Sequence, residues 1–283
     1  MRKGVSGWRL DVVDELPDVF LDPLCRAMRR EKSDALIVGE VWEDASNKIA
    51  YDVRRRYFLG GQLDSVTNYP LRDAIIACVT DAQVERIASL MDRQCQNYPE
   101  NVLSSLMNIL GTHDTMRILT VLGGANLPQT REEMASFRLN QEQLETAKRR
   151  LKLASTIQFT LPGVPCVFYG DEAGMEGGAD PFCRKCYPWG REDSGLTEWY
   201  ARLGKIRNER KCFSSGKYVL VEARAGVFAF TRGEGSERVL VAVNAGDDDR
   251  ILQAGDFNFD LLKNEYTDSL TIRAGKPAIF AIQ

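Results

Sequence analysis

Short apolar runs alternate with longer amphipathic runs from residue 5 to about residue 210, and this alternation restricts the fold more than any other feature. Runs typical of buried strands occur at 5–12, 34–42, 62–69, 105–114 and 164–172. Apolar residues at helical spacing predict helices at 18–32, 70–79, 82–94, 144–161 and 197–211. We expect Pro23 to interrupt the first helix, and Pro162 with Gly163 to end the helix over 144–161. Strand followed by helix, repeated, predicts a parallel α/β fold.

The pattern changes after Ser214. The runs YVLVEA, VFAFTR, RVLVAVNA, NEYTD and AIFAIQ are short and β-like, and polar turns such as GEGSE, GDDD and AGKP separate them. This pattern is typical of a small antiparallel sandwich. The sequence therefore predicts two domains, an α/β domain over 1–213 and an all-β domain over 214–283.

Composition excludes several classes of protein. The net charge of −3 over 283 residues gives no nucleic-acid footprint, and no apolar run reaches the roughly 18 residues of a membrane span. The amino-terminal MRKGVSGWRL has no secretory apolar core, so we predict a cytoplasmic protein unless truncation has removed a signal. Seven cysteines, with one CxxC at 183–186 and a single histidine, predict reduced thiols rather than a disulfide framework or a zinc site.

Acidic residues fall where the predicted strands end. Asp11 ends the first strand and Glu40 the second, and Asp114 follows the fourth beside His113. In an α/β barrel the carboxyl ends of the strands converge on the face where chemistry occurs. Three acids from three strands are therefore expected in one cleft.

The first two acids have different predicted surroundings. Arg9 and Asp11 lie two residues apart on a strand and share a face, so Arg9 is expected to hold Asp11 ionised. Glu40 lies between VG and VW, an apolar setting that favours a protonated carboxyl. One charged and one protonated carboxyl group are the pair that glycoside hydrolysis uses.

Each of these features also has a structural interpretation. Arg9 with Asp11 alone is more often a structural ion pair, Glu40 an ordinary loop acid, and His113 with Asp114 a turn or helix cap. The strand spacing of all three together favours a catalytic cleft instead.

Four segments carry a family resemblance. GWRLDVVDE at 7–15, GEVW at 39–42 and GTHDTMR at 111–117 resemble, in order, signature segments of the α-amylase superfamily of glycoside hydrolases, glycoside hydrolase family 13. GVPCVFYGDEAGMEGGADPFCRKCYPW at 163–189 resembles the segment of that family's eighth strand. This segment and GGQLDSVTNYPLRDAI at 60–75 are most similar to the neopullulanase, cyclomaltodextrinase and maltogenic amylase subgroup. The resemblance implies strands 4 to 8 of a TIM (β/α)8 barrel, followed by the family's small all-β domain.

The resemblance also implies roles for single residues. Asp11 matches the family nucleophile, Glu40 the general acid/base, and Asp114 the carboxylate that stabilises the transition state. The candidate substrate-binding residues are Arg9, His113, Trp42, which would stack on a sugar ring, and Arg117, which would support Asp114. The implied reaction is retaining hydrolysis or transglycosylation of α-1,4-glucans such as starch, maltodextrin, cyclodextrin or pullulan.

The sequence departs from the family at its amino terminus. Nothing matches strands 1 to 3 or the first signature segment, so no cofactor is implied here, and calcium would belong to the full-length enzyme. Unpaired barrel edges predict self-association as well as binding of an α-glucan. The alternative to an active hydrolase is a catalytically incomplete fragment that is inactive or only a weak glycan binder.

Overall fold

Strands and helices alternate through the first 215 residues of the protein, for which a computed structural model describes residues 3–283. The strands of this region are β1 (Gly7–Leu10), β2 (Leu36–Gly39), β3 (Ile49–Ala50), β4 (Val53–Arg54), β5 (Ser65–Val66), β6 (Met107–Ile109) and β7 (Val164–Cys166). The helices are α1 (Asp18–Glu31), α2 (Tyr69–Asp81), α3 (Val84–Asn97), α4 (Glu100–Leu103), α5 (Ile118–Leu122), α6 (Arg131–Ser136), α7 (Gln141–Thr160), α8 (Ser194–Glu209) and α9 (Cys212–Ser215), with a 3-10 turn at Val13–Glu15.

Five of these strands follow one another in parallel in the order β1, β2, β5, β6, β7. β1 pairs with β2, with Trp8 opposite Ile37, and β2 pairs with β5. A parallel bridge between Thr67 and Met107 connects the end of β5 to β6, which pairs with β7. Each strand lies beside its predecessor, which is the strand order of a (β/α)8 barrel. The predicted carboxyl-terminal part of a barrel, strands 4 to 8, is thereby confirmed.

Helix α1 shows how the outer layer packs on these strands. Leu21, Cys25 and Met28 are buried and lie on one helical face, since they are four and three residues apart. They share an apolar cluster with Ile37 of β2 and Val66 of β5. Full burial of a leucine or methionine side chain contributes about 1.5–3 kcal/mol, so this face fixes α1 against the sheet.

The predicted interruption of α1 at Pro23 is wrong, because the helix runs unbroken through that residue. A proline in a helix leaves the carbonyl four residues earlier without its partner. That carbonyl belongs to Val19 in the first turn, a residue that is 80% exposed. Water is therefore available to replace the lost hydrogen bond.

Helix α7 crosses the second and larger apolar cluster. Asn140 begins it in a capping box with Gln143, and Ala147, Leu151 and other buried residues face α2, α5 and α8. The helix ends at Thr160, before Pro162 and Gly163 as predicted. Gly163 has φ +111°, which an L side chain rarely adopts, so the turn into β7 requires glycine there.

The remaining strands are antiparallel. They are β8 (Tyr218–Arg224), β9 (Val227–Arg232), β10 (Val239–Asn244), β11 (Arg250–Ile251), β12 (Phe259–Asp260), β13 (Glu265–Tyr266), β14 (Thr271–Ile272) and β15 (Pro277–Ala281), with a 3-10 turn at Gly235–Glu237. Six form one sheet in the order β13, β12, β15, β10, β9, β8, and β11 pairs with β14 as a two-stranded ribbon. The small all-β unit is therefore a six-stranded sheet with the ribbon as its thin second layer.

Every residue of β9 and β10 is buried because both faces of this sheet are covered. Phe228 and Phe230 pack into the cluster that α7 crosses, whereas Ala229 and Leu240 face the ribbon side with Ile272. The division of the chain at residues 213 and 214 stays a prediction. Within residues 3–283 no helix has both the length and the apolar character needed to cross a membrane.

Candidate active site

One arginine joins two carboxylates at the carboxyl ends of β1 and β2. The two strands pair Leu10 with Gly39, so the residues that follow them, Asp11 and Glu40, lie at the same edge. Nη1 of Arg9 donates to Oδ1 of Asp11, and Nη2 of Arg9 lies 3.0 Å from Oε1 of Glu40. The Asp11 side chain is 77% exposed and that of Glu40 only 2%. Asp11 is therefore open to solvent, whereas Glu40 is almost fully buried beside the same arginine.

The predicted apolar setting of Glu40 is wrong, although the predicted burial is correct. Its Oε2 accepts a hydrogen bond from the backbone N–H of Val12 at 2.8 Å, and its Oε1 accepts one from Nε1 of Trp42 at 3.2 Å. With Arg9, three donors point at this carboxyl group. Of the two residues that follow it, Val41 faces away, fully buried in the cluster beneath α1, whereas Trp42 turns its polar N–H toward Glu40.

His113 and Asp114 lie in the turn that follows β6. The backbone N–H of Asp114 donates to Oγ1 of Thr112 at 3.2 Å, and Nε2 of His113 lies 3.2 Å from Oδ2 of Asp114. Arg184 donates from Nε to the His113 carbonyl at 3.1 Å, and its Nη2 lies 3.6 Å from Oδ1 of Asp114. The Sγ of Cys183 donates to the same carbonyl at 3.1 Å. Both side chains of the predicted pair are partly exposed and are held from the loop after β7.

Trp42 stacks on Tyr69, with ring centroids 4.0 Å apart and planes at 11°. Trp42 is 45% exposed, so its second face is open to solvent. Tyr69 is buried at the end of the β5 segment. Burial raises the pKa of the Tyr69 hydroxyl, and the negative charges of Glu40 and Asp114 raise it further. Tyr69 thus lies within electrostatic reach of acids from two strand ends.

The strand ends also share a cavity of about 160 Å³. Arg9 lines it from β1, Tyr69 from the β5 end, Thr112 and His113 from the β6 turn, and Phe168 from the β7 end. Residues from four strand ends therefore line one space at the carboxyl edge of the sheet. The lining residues do not include Asp11, Glu40 or Asp114, so the meeting of these three acids in one cleft stays a prediction.

Arg117 does not face this space. Its side chain is fully buried, and its guanidinium carbon lies 4.2 and 4.5 Å from the ring centroids of Phe168 and Tyr169, which are themselves only 4.7 Å apart. Nε donates to the Cys183 carbonyl at 2.6 Å, and Nη1 donates to the Tyr169 carbonyl and lies 3.3 Å from Oδ1 of Asp171. These partners belong to the loops after β7, and Asp114 is not among them.

Asp171 is the buried partner of Arg117, with its side chain 2% exposed. Burial raises the pKa of Asp171 to about 7, even though the positive charge of Arg117 lowers it. The desolvation of the carboxylate therefore outweighs the attraction of one neighbouring arginine.

Sequence reasoning missed Tyr69, Asp171 and Arg184. Tyr69 and Asp171 each follow a strand end, the same signal that identified Glu40, but a tyrosine and the acid of a YGDE run have ordinary structural uses. Arg184 lies inside the CxxC motif, where the two cysteines are the more conspicuous residues. All seven cysteines are free.

The resemblance implies calcium only in a full-length enzyme, and the described residues offer no cluster of acidic side chains that could hold it. Among residues 3–283, no three histidine, cysteine, aspartate or glutamate side chains come together to hold a metal ion. No step of the reaction proposed for these residues is therefore derived through a metal.

A parallel layer of strands with paired carboxylates at its carboxyl edge defines the class of (β/α)8-barrel enzymes. Residues 1–211 match the family profile described as alpha amylase, catalytic domain, and the chain belongs to the α-amylase family.

Individual sequence relatives and solved structures also resemble this chain. An amylopullulanase of Thermoanaerobacter thermohydrosulfuricus is 36% identical over 245 residues, which are 81% of this chain and 15% of the relative. Neopullulanase 2 of Thermoactinomyces vulgaris is 34% identical over 250 residues, 86% of this chain and 37% of the relative. The type III pullulan hydrolase from Thermococcus kodakarensis superposes with a TM-score of 0.82 at 28% identity, covering 99% of this chain and 46% of that one. The chain thus spans less than half the length of these proteins.

Proposed function

We propose that the chain carries the catalytic acids of a retaining glycoside hydrolase that acts on α-glucans. The observation that carries the proposal is the Arg9 guanidinium, whose two terminal nitrogens contact Asp11 and Glu40. Retaining glycosidases need two carboxyl groups about 5 Å apart, whereas inverting ones need roughly 6.5–9.5 Å. Carboxylates that share one guanidinium favour the shorter separation.

In the proposed reaction Asp11 attacks the anomeric carbon, while Glu40 donates a proton to the leaving glycosidic oxygen. The glycosyl group becomes an ester of Asp11, and the leaving sugar departs with the proton. Glu40 then takes a proton from water, whose oxygen displaces Asp11 from the anomeric carbon. Arg9 holds the Asp11 carboxylate in place through their ion pair. Transfer to a sugar hydroxyl in place of water would give transglycosylation.

The other predicted residues complete the proposed site. Asp114 would stabilise the positive charge that develops on the sugar ring, and His113 would bind a sugar hydroxyl. Trp42 would stack on a sugar with its open face, since Tyr69 covers the other. Arg117 is fully buried, so we give it a supporting role and no contact with substrate.

The substrate class is proposed from the relatives, which are named for pullulan and cyclomaltodextrin hydrolysis. α-1,4-linked glucans such as starch, maltodextrin, cyclodextrin and pullulan are therefore the substrates to test. Rates on these four glucans would also rank the preferred linkage and chain length.

The test is release of reducing sugar from these glucans by the 283-residue chain and by Asp11→Asn. We expect release by the wild type and loss of at least about 10³-fold in the variant, since its amide cannot act as the nucleophile. Asp34→Asn is a matched control, because Asp34 is also an exposed acid, at 78%, but precedes β2 at the opposite edge of the sheet. Equal activity of Asp11→Asn and wild type would refute the proposal.

A second candidate is glycan binding without turnover. The observation that favours it is the strand order: among residues 3–283, five parallel strands follow one another, with a single bridge between the β5 end and β6, and β1 and β7 each pair on one side only. A site that lacks part of its walls holds its groups loosely, which costs catalysis more than binding. Calorimetric titration with cyclodextrin would show binding by both wild type and Asp11→Asn, with no sugar released by either.

We also propose that the two open strand edges allow self-association. Trp8 on β1 and Val164 on β7 are apolar and about half exposed. Exposed apolar edges pair readily with another chain. Sedimentation velocity should show a concentration-dependent increase in mass that Val164→Glu reduces, whereas Val19→Glu on the outer face of α1 leaves it unchanged. A monomer at all concentrations would contradict this.

A further inference from the structure

The 183–185 segment, in the loop after β7, holds the turn that carries Asp114. Cys183 Sγ and Arg184 Nε both donate to the carbonyl of His113, each at 3.1 Å. Arg184 also lies beside the Asp114 carboxylate. The position of Asp114 therefore depends on where the backbone of this segment lies.

Arg117 fixes that backbone. Its Nε donates to the Cys183 carbonyl at 2.6 Å, and its own backbone N–H donates to the Gly177 carbonyl at 3.1 Å. Gly177 approaches the segment so closely that an added Cβ would lie 2.5 Å from the Phe182 carbonyl. Arg117 thus connects the β6 turn to the loop after β7 at two points.

The guanidinium is itself held by one acid and two adjacent rings. Asp171 pairs with Nη1, and the ring centroids of Phe168 and Tyr169 lie 4.2 and 4.5 Å from the guanidinium carbon. The Tyr169 hydroxyl also donates to the Lys185 carbonyl at 2.8 Å. A planar group with donors in a fixed fork satisfies this geometry, whereas the single ammonium of lysine does not.

From these contacts we propose that Arg117 is a positioning residue, which sets the geometry of His113 and Asp114 through the 183–185 segment. This positioning proposal depends on the proposed function in one respect, which is that Asp114 takes part in catalysis. The contacts run from Asp171 to Arg117, from Arg117 to the Cys183 carbonyl, and from the Cys183 and Arg184 side chains to the His113 carbonyl. Arg117 itself touches no substrate.

The chain contains a single histidine, which gives a direct probe of this geometry. In tag-free protein labelled with ¹³C-histidine, the imidazole carbon–proton cross-peak reports on His113 alone. We expect Arg117→Lys to move or broaden this cross-peak. Arg232→Lys is the matched control: Arg232 is 1% exposed and also donates to backbone carbonyls, at Thr160 and Gly216, but belongs to the β-sheet unit. There the cross-peak should stay in place.

A second, less disruptive variant tests the proposal if Arg117→Lys does not fold. Tyr169→Phe removes one hydroxyl from a side chain that is 41% exposed, and with it the bond to Lys185. We expect a smaller displacement of the same cross-peak. An unmoved His113 cross-peak in folded Arg117→Lys, or in Tyr169→Phe if Arg117→Lys is unfolded, would overturn the proposal.

Kinetics give a second readout if the chain is active. A misplaced catalytic group lowers turnover, so Arg117→Lys should lose about 10- to 100-fold in kcat with little change in KM. A loss confined to KM would contradict a positioning role. The cross-peak needs no activity, so an inactive wild-type chain would refute the proposed hydrolase and leave this inference to be decided by the spectrum.

Discussion

Two arginines pair with carboxylates at the same edge of the sheet, in opposite surroundings. Arg9 is 32% exposed and contacts Asp11, which faces solvent. Arg117 is fully buried with Asp171, and it also binds the carbonyls of Tyr169 and Cys183. The first arginine contacts an exposed carboxylate, whereas the second contacts a buried carboxylate and the backbone of the loop after β7.

The difference shows what burial requires of an ion pair. Taking two charges out of water costs several kcal/mol per ion, which attraction between them offsets only when further hydrogen bonds satisfy both groups. Arg117 meets that condition through two carbonyls and two aromatic rings, although its Nη2 has no hydrogen-bond partner. Around Arg9, water screens the pair with Asp11, so that pair contributes little to stability. Substitutions at the two sites should therefore affect activity and stability in opposite proportions.

The largest effect is expected at Glu40, whose carboxyl adjoins the exposed pair. Glu40→Gln keeps the shape of the side chain but cannot donate or accept the proton, and general acid–base catalysis is worth roughly 10²–10⁴-fold. Sugar release from starch should fall by that factor. A 4-nitrophenyl maltoside, whose leaving group needs little protonation, should retain a larger share of its rate. Equal losses on the two substrates would contradict the acid role of Glu40.

The second prediction concerns the free energy of unfolding. Substitution of Arg117 should lower it more than substitution of Arg9 does. Arg117→Met leaves Asp171 buried without its partner, which typically costs about 3–5 kcal/mol. Arg9→Met should cost only about 1 kcal/mol, because Asp11 is exposed and Glu40 keeps hydrogen bonds from Val12 and Trp42. Urea denaturation with unchanged m-values measures both free energies of unfolding. A larger loss in Arg9→Met than in Arg117→Met would contradict the comparison.

The region around Arg9 could be predicted well from the sequence, because the pattern that indicates a strand end is local. A continuous apolar run such as that over 34–42 predicts a buried parallel strand, and the acid that ends it must lie at the carboxyl edge. The positions of Asp11, Glu40 and Asp114 at strand ends follow from this pattern alone. The five parallel strands and their order follow from the same alternation of strand and helix.

The region around Arg117 could not be predicted from the sequence, because its contacts join distant parts of the chain. Arg117 and Asp171 are 54 residues apart, and nothing in either segment indicates the other. The donors around Glu40 were missed for a related reason, since Val12 reaches it from 28 residues away through a backbone N–H that nearly every residue has. Sequence neighbours describe the surroundings of a residue poorly when folding replaces them with others.

The last and smallest effect concerns Asp171 and pH. Its pKa in the folded protein is about 7, raised by burial above the ordinary value of 3.8. Between these values the folded state binds a proton that the unfolded state has lost, so the free energy of unfolding falls as pH rises through this window. A single proton limits the slope to about 1.4 kcal/mol per pH unit. Asp171→Asn removes this contribution, so urea denaturation at pH 5, 6 and 7 should show a steeper decline in the wild type than in the variant. Parallel curves would contradict the prediction, because they would mean that Arg117 already holds Asp171 ionised throughout the range.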